Sequence, residues 1–183
     1  MSFSTRAIQG PVGRLAVSTA GQGGLPVLFV HGHGGDRTQW AAQQAFLVQR
    51  SVSFDLRGMG ESDPDPAGRY HVRDFAEDVG AVADTLHLER FVLVGHGFGC
   101  GVASEYAALH PERVAGLVLG DPEGSVKKPL SEGFDPPVQR LVMDAPESFN
   151  AALDAFLADV EAHLVLEDAR LPGPTDASGA LTM

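Results

Sequence analysis

The chain predicts an α/β fold, a mostly parallel sheet with helices on both faces, and three observations carry that prediction. Short apolar runs at 26–30, 51–55, 91–94 and 114–119 have the length of strands covered on both sides. Segments with helical spacing separate them, and strands that alternate with helices pair in parallel through crossovers. Of 183 residues, 44% are hydrophobic and 20% charged, enough apolar content for one buried core in a soluble globular chain.

In chain order, residues 4–9 and 12–18 flank Gly10-Pro11 and read as an opening hairpin. The glycines from Gly21 to Gly24 turn the chain into Pro26-Val27-Leu28-Phe29-Val30, the first buried strand. Asp36 is placed to cap a helix over 37–48, and Ser51-Val52-Ser53-Phe54-Asp55 follows as the next strand. Between 70 and 88, Phe75, Val79, Val82 and Leu86 share one helical stripe, with acidic residues on the opposite face. Phe91-Val92-Leu93-Val94 is the third buried strand, 98–110 a helix ended by Pro111, and 114–119 the fourth strand.

Past residue 120 the character changes: the last 63 residues carry a local net charge of −8 against −3 before them. Phe149, Leu153, Phe156, Leu157 and Val160 make one helical stripe there, and 171–183, rich in Pro, Gly, Ala and Ser, reads as disordered. The expected organisation is a core over 1–124, a lid-like helical segment over 125–170 and a tail over 171–183.

The net charge of −11 repels phosphate backbones and anionic lipid, so neither nucleic acid nor a membrane surface is expected as a partner. The single cysteine, Cys100, forms no internal disulfide and fits a reducing, cytoplasmic setting. The first residues carry no apolar signal core, and no apolar run approaches the roughly 20 residues of a membrane span.

Three motifs follow three of the strands. Val94-Gly95-His96-Gly97-Phe98-Gly99-Cys100-Gly101 joins strand to helix, His31-Gly32-His33-Gly34-Gly35 follows the first buried strand, and Asp55-Leu56-Arg57-Gly58-Met59-Gly60-Glu61-Ser62 follows the second. Together, in this order, they resemble the α/β-hydrolase superfamily of esterase- and lipase-like enzymes with a lid: its G-x-nucleophile-x-G elbow, its HG loop and its D-x-R-G-x-G-x-S turn. The resemblance covers about the first two-thirds of the chain. It makes the chain look C-terminally short, because the family's later strands have no counterpart here.

The resemblance implies an oxyanion hole made by the backbone N–H groups of His33 and Phe98. It places Gly97 where the family holds its serine, and a glycine has no oxygen with which to attack a carbonyl. Asp121, at the end of the fourth strand, stands where some members carry the acid of the triad, and Asp121-Pro122 also reads as a plain turn. His31, Gly32, His96 and Trp40 are candidate ligand contacts, with Met59 and Phe134 as further pocket-lining candidates. His163 reads as a solvated helix residue. His31 and His33 have no third ligand at a metal-binding spacing, so no metal is expected, and no organic cofactor is implied.

The expected function is that of a carboxylic-ester or acyl hydrolase scaffold, inactive at Gly97 whether the glycine is native or replaces a serine, with a small acyl-type ligand. One alternative is a non-catalytic module that binds a small molecule or a protein. A weaker one is NAD(P) binding, because Gly95-x-Gly97-x-Gly99 approaches the dinucleotide fingerprint, although Cys100 and Val102 stand where its third glycine belongs. The strand at 114–119 is expected to expose an apolar sheet edge, to be closed by homo-oligomerisation or by the later helix.

Overall fold

The structure, a computed structural model, describes residues 3–121, 137–141 and 145–170. The described residues form one seven-stranded sheet. Strands β1 (Ser4–Gln9) and β2 (Arg14–Ala20) form the antiparallel opening hairpin, closed by the Gly10 N–H donating to the Gly13 carbonyl at 2.7 Å. Strand β2 pairs antiparallel with β4 (Ser51–Phe54); from there β3 (Val27–Val30), β5 (Phe91–His96), β6 (Val114–Gly120) and β7 (Val138–Leu141) continue in parallel. The order across the sheet is β1-β2-β4-β3-β5-β6-β7.

Alternation along each strand sorts the core onto two faces. Leu28 and Val30 of β3 and Leu93 of β5 face helices α2 (Val72–Thr85) and α3 (Phe98–Leu109), joined by Phe75, Val79, Val82, Val102 and Tyr106. Val27, Phe29, Val92 and Val94 face the other way, toward Trp40, Leu47 and helix α4 (Pro146–Arg170). Both faces are therefore covered, as the alternating pattern predicts.

The helix expected at 37–48 is shorter and split, into a 3-10 turn over Arg37–Trp40 and α1 over Ala41–Phe46. Asp36 does cap it, accepting the Thr38 N–H at 2.7 Å. The chain leaves the helix at Leu47, with ψ 136, because extension there drops Leu47 into the core while Phe46 and Val48 stay exposed. The acidic face expected on α2 also breaks at one place: Asp78 is fully buried, paired with Arg57.

The edge expected at 114–119 is paired from Leu117 onward. Strand β7 pairs along β6 from Leu117↔Val138 to Gly120↔Leu141, so edge-driven self-association through β6 loses its basis. Strand β7 escapes a periodicity reading because Val-Gln-Arg-Leu has only two apolar residues and, as an edge strand, leaves Val138 42% exposed. Helix α4 buries Phe149, Leu153, Phe156, Leu157 and Val160 on the sheet, so the described part of the 125–170 segment packs against the core. Residues 122–124 of the expected core, 125–136 (with Phe134) and 142–144 of that segment, and the 171–183 tail lie outside the described residues. No described helix is long and apolar enough to cross a membrane.

Candidate functional site

The carboxyl ends of β3, β4 and β5 meet at one rim of the sheet, where open parallel sheets bind ligands. The turn from β5 into α3 pivots on Gly97, whose φ 52 and ψ −119 mirror the extended region and would strain any residue with a Cβ. Its N–H donates to the Gly120 carbonyl at 2.9 Å, tying the turn to the end of β6. The flanking glycines have a packing role. A Cβ on Gly95 would collide with the Gly99 carbonyl, and one on Gly99 with the carbonyls of Val30 and His31. The Gly-x-Gly-x-Gly triplet that also approaches a dinucleotide fingerprint is thus explained by seating a helix directly on two strands. Beneath the turn, the buried Cys100 thiol donates toward the carbonyls of Gly95 and Gly120 at 3.3 and 3.2 Å.

The loop after β3 lies against this turn. A Cβ on Gly32 would stand 3.0 Å from His96 Nδ1, and the His33 and Phe98 rings meet edge to face with centroids 5.9 Å apart. The elbow and the HG loop are therefore backbone neighbours, as an oxyanion hole built from the amides of residues 33 and 98 requires. Among the described residues neither the His33 N–H nor the Phe98 N–H has an acceptor.

The turn after β4 braces that loop at both ends. His31 Nε2 accepts the Leu56 N–H at 3.1 Å, while its Nδ1–H donates to the Gly32 carbonyl at 2.7 Å, which assigns the tautomer. Burial pushes the imidazole below its ordinary range, against the hydrogen bond to Gly32 and the charges of Asp55 and Asp36, which favour protonation. At the far end, Asp55 accepts the Arg37 N–H at 2.6 Å, Arg37 Nη1 at 2.5 Å and the Glu61 N–H at 2.8 Å; Arg37 Nη2 also pairs with Glu61. Gly60 has φ 52, and a Cβ there would collide with the Asp55 carboxylate. Arg57, fully buried, donates to Asp78 at 2.8 and 2.7 Å and to the Asp74 carbonyl at 2.6 Å. These arginine contacts carry no periodicity signal. Their sole trace in the sequence is the D-x-R-G-x-G-x-S spelling and an arginine directly after the helix cap.

Four expected ligand contacts are placed as follows. His31 is fully buried with both ring nitrogens committed, so its side chain holds the loop. Trp40 is likewise buried, stacked on Phe29 at 4.7 Å in the core of the α4 face, because its ring is the largest apolar surface that face has to cover. Gly32 is buried against His96, which is half-buried and edge-on to Trp40 at 6.4 Å. Met59 is half-buried against the α2–α3 core.

Asp121 is exposed, follows the residue that binds Gly97, has φ 43 and donates its N–H to the Leu141 carbonyl at 3.1 Å. The structure thus puts it near the elbow and stabilises its left-handed turn through β7. His163 is exposed on α4, 3.3 Å from Glu167. No group of three His, Cys, Asp or Glu among the described residues could hold a metal ion.

A family model described as alpha/beta hydrolase fold matches residues 26–169. The 2-hydroxymuconate semialdehyde hydrolase of Pseudomonas sp. (strain CF600) is 34% identical over 117 residues, 61% of this chain and 41% of that protein. A putative carbamate hydrolase, RutD, of Caulobacter vibrioides (strain NA1000 / CB15N) is 33% identical over 133 residues, 72% of this chain and 49% of that protein. Among solved structures, a thermophilic esterase from Thermogutta terrifontis superposes with TM-score 0.61 at 35% identity, covering 69% of this chain and 48% of that one. An epoxide hydrolase from Vigna radiata superposes with TM-score 0.61 at 27% identity, covering 64% of this chain and 40% of that one. The chain spans less than half the length of each of these relatives.

Proposed function

The chain belongs to the alpha/beta hydrolase fold family, and from that premise we propose that it binds small acyl compounds, of the kind carboxylic-ester hydrolases take, without hydrolysing them by a serine route. The observation that carries this reading is Gly97, which occupies the tip of the elbow in the backbone conformation of a nucleophile and supplies no nucleophilic atom. What the site retains is electrostatic. The amides of His33 and Phe98, held by backbone packing and by the His31 and Arg37 braces, are suited to receive a carbonyl oxygen.

A bound acyl compound would therefore have its oxygen polarised and its carbon left unattacked. A serine in the place of Gly97 would meet that carbon first. The acid and base of a complete triad are not assigned, and Asp121 is the candidate acid by its position one residue past Gly120. The expected setting is cytoplasmic, on the evidence of the single buried thiol.

The test is nitrophenol release from p-nitrophenyl butyrate by the wild type and by Gly97→Ser. We expect no burst from the wild type; a burst from the variant would mark a disabled hydrolase whose base is present. A burst from the wild type overturns the reading. Silence from both favours a binding module or an incomplete triad.

A further inference from the structure

Each donor amide of the site belongs to a residue with a ring, and those rings are the start of a row. His33 is exposed and meets the half-buried Phe98 edge to face at 5.9 Å. Phe98 stands edge to face on the buried Phe75 at 5.3 Å, and Phe75 lies 6.0 Å from Tyr70. Tyr70 returns to the surface at 42% exposure, its ring and hydroxyl close over Gly58, where a Cβ would stand 3.1 Å away. Phe75, 3% exposed, anchors the row in the core, so the outer rings are positioned from below.

The row begins at the two residues whose amides have no acceptor among the described residues. A carbonyl bound between those amides would have the exposed His33 ring and the half-buried Phe98 ring as its neighbouring aromatic surfaces. A flat ring can continue the edge-to-face contacts that His33, Phe98 and Phe75 already make. Charge is the second constraint. The arginines of the two bracing segments are both committed, Arg37 to Asp55 and Glu61, Arg57 to Asp78, which leaves neither for a second carboxylate on the ligand. The net charge of −11 opposes an anionic ligand in any case.

We propose that the site selects neutral aryl acyl compounds, those with an aromatic ring directly on or next to the carbonyl carbon; this rests on the acyl-binding reading above. The test is an amide NMR titration of the full chain with benzamide, cyclohexanecarboxamide and acetamide, neutral carbonyl compounds without a good leaving group. Benzamide is expected to shift the His33 and Phe98 amides with an affinity about 10-fold above acetamide and about 3-fold above cyclohexanecarboxamide. In Phe98→Leu the preference for benzamide over cyclohexanecarboxamide should vanish.

Equal affinity for benzamide and acetamide overturns the aryl proposal and leaves the acyl-binding reading standing. Equal affinity for benzamide and cyclohexanecarboxamide in the wild type overturns selection by the ring row. If none of the three compounds moves these two amides, the acyl-binding reading itself falls, and this proposal with it.

Discussion

Replacing Gly97 by alanine isolates the backbone at the elbow from every question of ligand. At φ 52 and ψ −119 a Cβ is forced into a region that residues other than glycine rarely occupy, at a cost of about 1–3 kcal/mol. For a chain of this length that corresponds to a fall in melting temperature of about 2–12 °C. Gly101 supplies the matched control. It lies in the interior of the same helix, and a Cβ there meets nothing within 4 Å. Alanine at 101 removes only the conformational penalty of glycine in a helix, so Gly101→Ala should raise stability by about 0.5–1 kcal/mol. Thermal and urea unfolding of both variants, followed by circular dichroism, would measure the pair. A Gly97→Ala variant that melts at or above the wild type would refute the strained elbow, and with it the equation of residue 97 with the nucleophile position.

Two further perturbations test the braces of the site. Asp78→Ala leaves the buried Arg57 guanidinium with only its longer pairs to Asp65 at 3.5 Å and Glu77 at 3.7 Å and should cost up to about 3–5 kcal/mol in urea unfolding; a loss under about 1 kcal/mol would show that these two carboxylates or water compensate. His31 should make stability depend on pH. Burial holds its folded pKa below the ordinary imidazole range, so the unfolded chain takes up the proton first. This contribution is complete above about pH 6.5 and is lost as the pH falls, by up to about 1.4 kcal/mol per pH unit. His31→Gln, compared with the wild type in urea midpoints at pH 7.5 and pH 5, should flatten that slope; an unchanged slope would mean that His31 protonates as readily in the fold as outside it.

The parts of the molecule legible in the sequence are those with a local spelling. Apolar runs such as Leu28-Phe29-Val30 and Leu93-Val94 are strands because no other element buries them on both sides. The elbow and HG loop were legible because Gly95, Gly97 and Gly99 are required by backbone approach and by a positive φ, and these constraints leave glycines at fixed offsets. What stayed hidden depends on contacts made at a distance. Val138–Leu141 becomes a strand because β6 offers it an unpaired edge. Asp78 is one of several acidic residues on its helix, and the arrival of Arg57 alone draws it into the core. His31 and Trp40 have residue types that suit a ligand pocket, yet the loop after β4 claims one and Phe29 the other. Residue type suggests chemistry, and the partner decides whether it is available.

The central claim is that a bound carbonyl meets two amides beside position 97 and finds no attacking atom there. A thiol supplies that atom without a base, because its pKa is lowered at a helix N-terminus. Gly97→Cys and, as a control on the same helix, Gly101→Cys would be exposed to p-nitrophenyl acetate, and the acetylated peptide identified by mass spectrometry over time. The account predicts acetylation at position 97 about 100-fold faster or more than at position 101, the increment one oxyanion donor commonly provides, and none at this turn in the wild type. Equal rates at the two positions would contradict it.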